Sequence, residues 1–381
     1  MKYLRSILTF FKKETVLSIA ALLAFLSAFF VPPSAEYLSY PDYRVLALLF
    51  CLMLVVAGLQ SIGVFSYLGN LLLQKVHTTR QLAFLLTALC FFSAMFITND
   101  VALITFVPFA AMILTMAEQE KLLIPVISLQ TIAANLGSML TPIGNPQNLY
   151  LYSAFSVPVG TFLLDMLPLT ALSAILLIVS ILLLKNHPLH TLSAPSGASQ
   201  TKFPQAVPDA KKLTAYLLLF GVCLLCVVRI LPWPVMLAVL VAAIFFLDRK
   251  LFQKVDYFLL LTFVCFFLFI GNMERIPAIA DFLRSFIQGR ELPLGTLFSQ
   301  IISNVPAAIL LSGFTDAAKP LLYGVNIGGL GTLIASLASV ISYRIYGNQK
   351  YASKGTYLKI FTLYNVIFLI ILYMAALLLL Q

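Results

Sequence analysis

The sequence predicts an all-α, polytopic membrane protein. Of its 381 residues, 61% are hydrophobic and 10% are charged, whereas soluble domains carry about 25% charged residues. Several uncharged runs reach the roughly 20 residues needed to span a bilayer. Two of these runs are interrupted by glycine and asparagine, at 135–148 and 326–332, and the first also by proline. The composition and the long runs exclude a soluble fold, and the interruptions indicate spans that are not simple helices.

The main interruption lies within the uncharged run 122–164 and reads Asn-Leu-Gly-Ser-Met-Leu-Thr-Pro-Ile-Gly-Asn-Pro-Gln-Asn from Asn135 to Asn148. Proline removes a backbone donor and clashes with the preceding turn, and glycine in a helix costs about 1 kcal/mol relative to alanine. In hydrocarbon the freed backbone groups must find partners inside the protein. We therefore expect a broken helix over 122–155, with which secondary transporters build solute sites near the midplane. The alternative is a surface loop between two short helices, and the long uncharged flanks argue against it.

A polar linker at 185–212, predicted to be flexible, divides the chain into two halves. An amphipathic segment is expected over 1–14, before the first half at 15–184. The first half also contains an apolar unit at 81–117 and predicted spans at 15–31, 45–67 and 161–184. The second half, 213–381, contains an apolar unit at 292–316, a second broken helix at 320–343, and predicted spans at 213–230, 234–247, 257–273 and 360–380.

The charged residues set the expected orientation. Lysine and arginine gather near the N-terminus and at 75–80, 185–212, 248–254 and 344–359, and the positive-inside rule places such segments in the cytoplasm. The arms of the unit at 292–316 are too short to cross about 30 Å of hydrocarbon, so we expect a re-entrant hairpin from outside. By analogy, the unit at 81–117 is expected to be a hairpin from the cytoplasm. The sequence thus predicts about nine full spans plus two hairpins in the cytoplasmic (inner) membrane, with the N-terminus cytoplasmic and the C-terminus external.

Four short motifs recur in the same order in both halves. They pair Gly58-Leu-Gln with Gly271-Asn-Met, Thr98-Asn with Ser303-Asn, Asn135-Leu-Gly-Ser with Asn326-Ile-Gly-Gly, and Thr141-Pro-Ile-Gly with Thr332-Leu-Ile-Ala. Because the halves begin on opposite sides of the membrane in the predicted topology, the repeat is expected to be inverted. Inverted repeats with two broken helices imply a solute site near the midplane, where the two halves meet.

These motifs resemble those of the ion transporter superfamily, which includes citrate and dicarboxylate symporters, arsenite permeases and a class of sodium/proton antiporters. The resemblance is carried by Met53–Gly63, Thr98-Asn99-Asp100 with Pro108, Thr141–Asn148 and Ser303-Asn304. The motif sequences are most similar to those of the arsenite-permease and anion-permease branch, which is related to the divalent anion:sodium symporters. In the dicarboxylate branch each hairpin tip resembles Ser-Asn-Thr and helps to hold sodium and a substrate carboxylate. Here the third residues are Asp100 and Val305, so the resemblance does not carry over dicarboxylate specificity or a two-sodium pattern.

Asp100 is the one ionisable residue between Gln81 and Ala117, and a charged group at membrane depth indicates function. It could ligate sodium, exchange a proton, or cap a helix by accepting backbone N–H groups. Asn99 and Asn304 offer both donors and acceptors, so they could bind solute or cation or act as caps. The substrate-binding candidates are Asn99, Thr141, Asn145, Asn148, Asn304, Asn326, Thr332 and Ser336. The cation-coupling candidates are Thr98, Asn99, Asp100, Asn135, Gly137, Ser303 and Asn304, with sodium expected at Asn99/Asp100 and Asn304.

The function predicted from these features is secondary active transport of a small anion, a carboxylate or an inorganic oxyanion, by an elevator-type alternating-access mechanism. Sodium or protons would drive it, and no other cofactor is expected. A sodium/proton antiporter centred on Asp100 and an arsenite-type efflux permease are the alternatives, whereas an enzyme is disfavoured because no metal or nucleophile set lies at membrane depth. The sequence lacks the GxxxxGK[ST] motif of ATPases. The expected partners are a small anionic solute and the lipid bilayer, with a homodimer left open and no nucleic acid.

Overall fold

The computed structural model describes residues 14–73, 76–189, 207–350 and 352–381. Within these ranges the protein is all-helical, with seventeen α-helices and no β-strand. Seven of the helices are long and apolar enough to cross a membrane. The predicted amphipathic segment at 1–14 lies outside the described residues except for Glu14, as do residues 190–206 of the predicted linker.

The first half contains eight α-helices. They are α1 Thr15–Ser27, α2 Tyr43–Ser61, α3 Val64–Leu73, α4 Thr79–Ile97, α5 Asn99–Met116, α6 Leu123–Ser138, α7 Pro146–Ala154 and α8 Val159–Leu182. The single span expected over 45–67 is wrong, because helix α2 ends at Ser61 and a new helix begins at Val64. Gly63 has a φ of +73°, a left-handed conformation that glycine adopts readily and that ends the right-handed helix.

The second half contains nine α-helices. They are α9 Ala210–Val227, α10 Trp233–Asp248, α11 Tyr257–Glu274, α12 Pro277–Ile287, α13 Glu291–Ile302, α14 Asn304–Ser312, α15 Ala318–Ile327, α16 Leu337–Gly347 and α17 Lys354–Leu379. Helix α9 starts inside the predicted linker because Asp209 caps it, accepting hydrogen bonds from the backbone N–H groups of Lys211 and Lys212. The mixed stretch after α11 forms the short helix α12, which exposes Phe282 and Phe286 and buries Ile287.

Helix α6 lies at the centre of the fold. It packs against α4, α5, α8, α16 and α17, and every residue from Val126 to Ser138 is buried. The approach of α4 is close at Gly137, where an added Cβ would overlap the backbone carbonyl of Phe91. Small residues at helix contacts allow such close backbone packing within membranes. Helix α6 therefore presents its C-terminal end, near Ser138, from the middle of the protein.

Large apolar side chains cover the outer faces of the long helices. Phe246 on α10 is 86% exposed, and Ile175 on α8 and Met374 on α17 are more than half exposed. Exposed apolar area on this scale marks a surface that contacts membrane or protein. Together with the long apolar helices, it identifies a multi-pass membrane protein whose polar groups are concentrated inside.

Candidate functional site

Two one-residue turns stand at equivalent places in the two halves. Thr98 joins α4 to α5, and Ser303 joins α13 to α14. Their φ and ψ angles are 68° and 149° for Thr98 and 76° and 154° for Ser303. This conformation is close to a region that is used almost only by glycine, and it costs about 1–3 kcal/mol per residue. Two strained turns of the same geometry at matching positions indicate a shape that the protein maintains for function.

Each turn is held against a non-helical segment by a backbone hydrogen bond. The N–H of Asn99 donates to the carbonyl of Gly144 (3.2 Å), and the N–H of Asn304 donates to the carbonyl of Ala335 (3.0 Å). Gly144 and Ala335 lie in the two segments that interrupt the helices, 139–145 and 328–336. The start of α5 therefore meets the first interruption, and the start of α14 meets the second.

The first interruption, between α6 and α7, is held together by two asparagines. Asn145 caps α7 by accepting the N–H of Asn148 (2.9 Å). The side-chain amide of Asn148 donates to the carbonyls of Met139 (3.0 Å) and Thr141 (3.2 Å). These bonds satisfy carbonyls that the end of α6 leaves free, as an apolar environment requires.

The second interruption, between α15 and α16, is held by Gln300 of α13. The side-chain amide of Gln300 donates to the carbonyls of Gly328 (2.7 Å) and Leu330 (2.8 Å), and its oxygen accepts the N–H of Thr332 (2.9 Å). Gln300 is not among the predicted site residues. The sequence gives no signal for it, because one glutamine on an apolar helix does not indicate which backbone it will meet.

Side-chain hydrogen bonds cross between the two interruptions. Asn145 donates to the amide oxygen of Asn326 on α15 (3.2 Å), and the hydroxyl of Ser336 donates to the amide oxygen of Asn135 on α6 (3.0 Å). Asn135 also accepts from the side chain of Asn99 (2.9 Å). The first interruption thus bonds to α15, and the second interruption bonds to α6. Through these bonds the two halves of the chain share one buried polar network.

A small cavity lies next to this network, and Asn99 and Ser336 belong to both. The centre of a water molecule can occupy about 10 Å³ of this cavity, which is close to the minimum that holds one water molecule. The first residues of four helices line it, α5, α7, α14 and α16, together with Leu259 of α11. These residues are Asn99, Asp100, Pro146, Gln147, Asn304, Val305, Ser336 and Leu337. Helix N-termini carry a partial positive charge, so their convergence favours an anion. The N–H groups of Asn99 and Asn304 are already bonded within the protein, so an anion would be held by the remaining N–H groups.

Asp100 adds a carboxylate to a cavity that is otherwise surrounded by positive helix N-termini. One carboxylate oxygen, Oδ1, is buried and has no hydrogen-bond partner among the described residues. The backbone N–H of Asp100 donates to the side-chain oxygen of Asn99 (3.0 Å). Among the residues that the structure describes, no lysine or arginine lines the cavity. An unpaired buried carboxylate is costly, and a bound cation or proton would offset that cost.

The predicted site residues fall into three groups. Those that line the cavity are Asn99, Asp100, Asn304 and Ser336. Those in the adjacent hydrogen-bonded network are Asn135, Asn145, Asn148 and Asn326. The others shape the backbone: Thr98 and Ser303 form the turns, Gly137 packs on α4, and Thr141 and Thr332 donate to the carbonyls of Met95 and Gln300.

Gln147 also lines the cavity and is not among the predicted residues. It is 2% exposed, and its side chain makes no hydrogen bond to the described part of the chain. Its position directly after Pro146, in the first turn of a helix, is the signal that could have identified it. Its amide offers both donors and an acceptor to a bound solute.

Comparison of the sequence with known proteins identifies the family of the chain. The model of the family described as citrate transporter matches residues 7–321. The chain belongs to the citrate transporter family. It is therefore a membrane transporter, not an enzyme, and the predicted resemblance to the ion transporter superfamily is confirmed.

Individual relatives agree with this assignment. The chain is 33% identical to an uncharacterized transporter of Methanocaldococcus jannaschii, over 80% of this chain and 81% of the relative. It is 30% identical to inner membrane protein YbiR of Escherichia coli, over 85% of each chain. It is also 33% identical to silicon efflux transporter LSI3 of Oryza sativa, over 33% of this chain and 26% of the relative.

Proposed function

We propose that the protein is a secondary active transporter that moves a small anion across the cytoplasmic membrane, driven by sodium or protons. The observation that carries the proposal is the convergence of four helix N-termini on one buried polar cavity without lysine or arginine. Such a site holds an anion through backbone N–H groups and neutral amides. The amides that face it are those of Asn99, Gln147 and Asn304.

The charge balance of the cavity favours a solute with few negative charges. Each helix N-terminus is equivalent to about +0.5 elementary charge, so four supply about +2. An ionised Asp100 leaves about +1, and Asp256, directly before α11, interacts with Asp100 and lowers this balance further. A monoanion, a carboxylate or an inorganic oxyanion, would be compensated by the protein itself, whereas a di- or tricarboxylate would need a cation bound beside it.

Recurring contacts support an inverted repeat. The turn at Thr98 has its counterpart at Ser303, and the bond from Asn99 to Gly144 has its counterpart between Asn304 and Ala335. We propose that 15–184 and 213–381 are the two repeats. In this proposal the units at 81–117 and 292–316 are re-entrant hairpins, and 122–155 and 320–343 are broken transmembrane helices.

Coupling is proposed to run through Asp100. Its free carboxylate oxygen lies at the same cavity as the amides of Asn99 and Asn304. Oxygen ligands of this kind suit sodium, and a carboxylate can equally take up a proton. The cavity as described holds about one water molecule, so solute and cation would bind together after it widens, and an elevator-type movement would then carry both.

An efflux permease for an inorganic oxyacid is the second candidate. The observation that favours it is the likeness to silicon efflux transporter LSI3, which covers a third of this chain. A sodium/proton antiporter centred on Asp100 is a third possibility, and it requires no solute at the helix N-termini.

The proposal can be tested by flux measurements in proteoliposomes. Citrate, succinate, acetate, phosphate, arsenite and silicate are offered under imposed sodium or proton gradients. We expect accumulation of a small, singly charged anion that stops when the gradient is abolished. Efflux of arsenite or silicate alone would favour the permease, and sodium-driven proton movement without any solute would favour the antiporter. Gradient-independent flux of every solute would contradict secondary active transport.

A further inference from the structure

Hydroxyl groups line one face of α6 and one face of α16. Ser128, Thr131 and Asn135 follow one another on α6 at intervals of three and four residues. Ser336, Ser339 and Ser342 follow at intervals of three, with Ser336 capping α16 and the others within it. Such intervals place side chains on the same side of a helix, and α16 packs against α6.

Two contacts define the relative direction of α6 and α16. At the cavity, the hydroxyl of Ser336 donates to Asn135 (3.0 Å). At the other end, Tyr346 of α16 stacks on Tyr357 of α17, with ring centroids 4.8 Å apart, and the side chain of Tyr357 lies beside Thr131 of α6. Helices α6 and α16 are therefore antiparallel. Ser339 and Ser342 lie between the two contacts, along about 15 Å of helix.

The hydroxyls of Ser128, Ser339 and Ser342 have no hydrogen-bond partner among the described residues, and all three residues are fully buried. An unpaired buried polar group destabilises the folded protein. The other buried serines of the described residues have partners; for example, the hydroxyls of Ser173 and Ser299 bond to carbonyls of their own helices, both at 2.6 Å. Buried polar groups without protein partners are typically satisfied by internal water.

The end of this region away from the cavity is basic. Arg344 lies in the last turn of α16, Lys354 begins α17, and Lys121 precedes α6. The side chains of all three are exposed. Because basic segments remain in the cytoplasm, the hydroxyl-lined region leads from the cavity toward the cytoplasmic surface.

We propose that the hydroxyls of Ser128, Ser339 and Ser342 bind a chain of internal water molecules. This hydrated track joins the cavity to the cytoplasm and conducts protons to and from the cavity by transfer between neighbouring waters. Its use in coupling rests on the proposed transport function, whereas its hydration does not. The track lies between α6, α16 and α17.

Hydroxyl-radical footprinting of the wild-type protein tests the hydration directly. Radicals generated from bound water oxidise nearby aromatic rings, so Tyr357 should be labelled several-fold faster than Tyr323. Tyr323 is the matched control, because it is 1% exposed and its hydroxyl is bonded to the carbonyl of Asp165 (2.7 Å). Equal, slow labelling of both tyrosines would overturn the hydrated track, whether or not transport is observed.

A double variant, Ser339→Ala with Ser342→Ala, tests the conduction of protons. In proteoliposomes that contain a pH-sensitive dye, proton flux should fall at least tenfold while binding of the transported solute persists. The control is Ser173→Ala, which removes a buried hydroxyl with a partner and should leave proton flux unchanged. If the double variant keeps the wild-type proton flux and has a higher thermal stability than the wild type, the two hydroxyls do not bind water. That result would contradict the proposed hydrated track. Absence of solute transport in the wild type would refute the proposed function but not the footprinting result.

Discussion

At the residue scale, the cavity combines groups of opposite electrostatic character. Asp100 supplies a carboxylate with one free oxygen, and the surrounding helix N-termini supply partial positive charge. Gln147, Asn99 and Asn304 add amides that can donate to an anion or accept from a protonated solute. Because no fixed cation is present at the cavity, the affinity for an anion and the affinity for a coupling ion depend on each other.

Asp100→Asn should uncouple transport from its driving ion. The amide has nearly the same volume, so the fold should persist, but it can neither exchange a proton nor neutralise sodium. We expect transport to lose its dependence on the cation, measured as initial uptake against sodium concentration and against pH. The matched control is Asp281→Asn on the exposed face of α12, which should behave as the wild type. Unchanged ion dependence in Asp100→Asn would move the coupling site toward Asn304.

The sequence could indicate part of this site because some of its residues are chemically unusual for a membrane span. Asp100 and Asn99 stand out in an apolar unit, and Asn304 stands out in its counterpart. Gln300 could not be predicted in the same way, since its role depends on which backbone the packing brings to it. The bond between Asn145 and Asn326 joins residues far apart in the chain, and only the tertiary structure places them together.

At the element scale, helix ends rather than helix faces form the site. Pro142, Gly144 and Pro146 made the first interruption predictable, because each disfavours a continuous helix. The division of the expected span at 45–67 was not predicted, since a lone glycine such as Gly63 is common within membrane helices. Each interruption turns one long helix into a pair and so provides an extra N-terminus at the cavity.

Gly137→Ala should weaken the packing of α4 on α6. The added methyl group would overlap the carbonyl of Phe91, and overpacking of a tight contact costs about 1–3 kcal/mol. We expect a lower midpoint of thermal unfolding in detergent and reduced transport. Gly160→Ala on α8 is the control, because no atom lies within 4 Å of its added Cβ. Equal stability of the two variants would show that α4 can move away from α6 without loss.

At the scale of the whole molecule, a few contacts show which segments share an end. The N–H of Thr79 bonds to the carbonyl of His187 (3.0 Å), and Arg80 bonds to the carbonyl of Leu184 (2.7 Å). The start of α4 and the end of α8 therefore share one end of the molecule. The ion pair of Glu36 and Arg275 connects the segment after α1 to the end of α11. Helix α11 has 18 residues, about 27 Å, which is close to the hydrocarbon thickness.

The membrane orientation can be tested across α11. Lys250 precedes this helix within the basic stretch 248–254, and Asp281 follows it on α12; both side chains are exposed. Since basic segments remain in the cytoplasm, a membrane-impermeant maleimide should label Asp281→Cys in intact cells and Lys250→Cys only after permeabilisation. Four of the five native cysteines are buried and Cys265 is partly buried, so the wild-type chain provides a low background. Labelling of Lys250→Cys but not Asp281→Cys in intact cells would reverse the orientation, and the hydrated track beside Arg344 would then open to the outside.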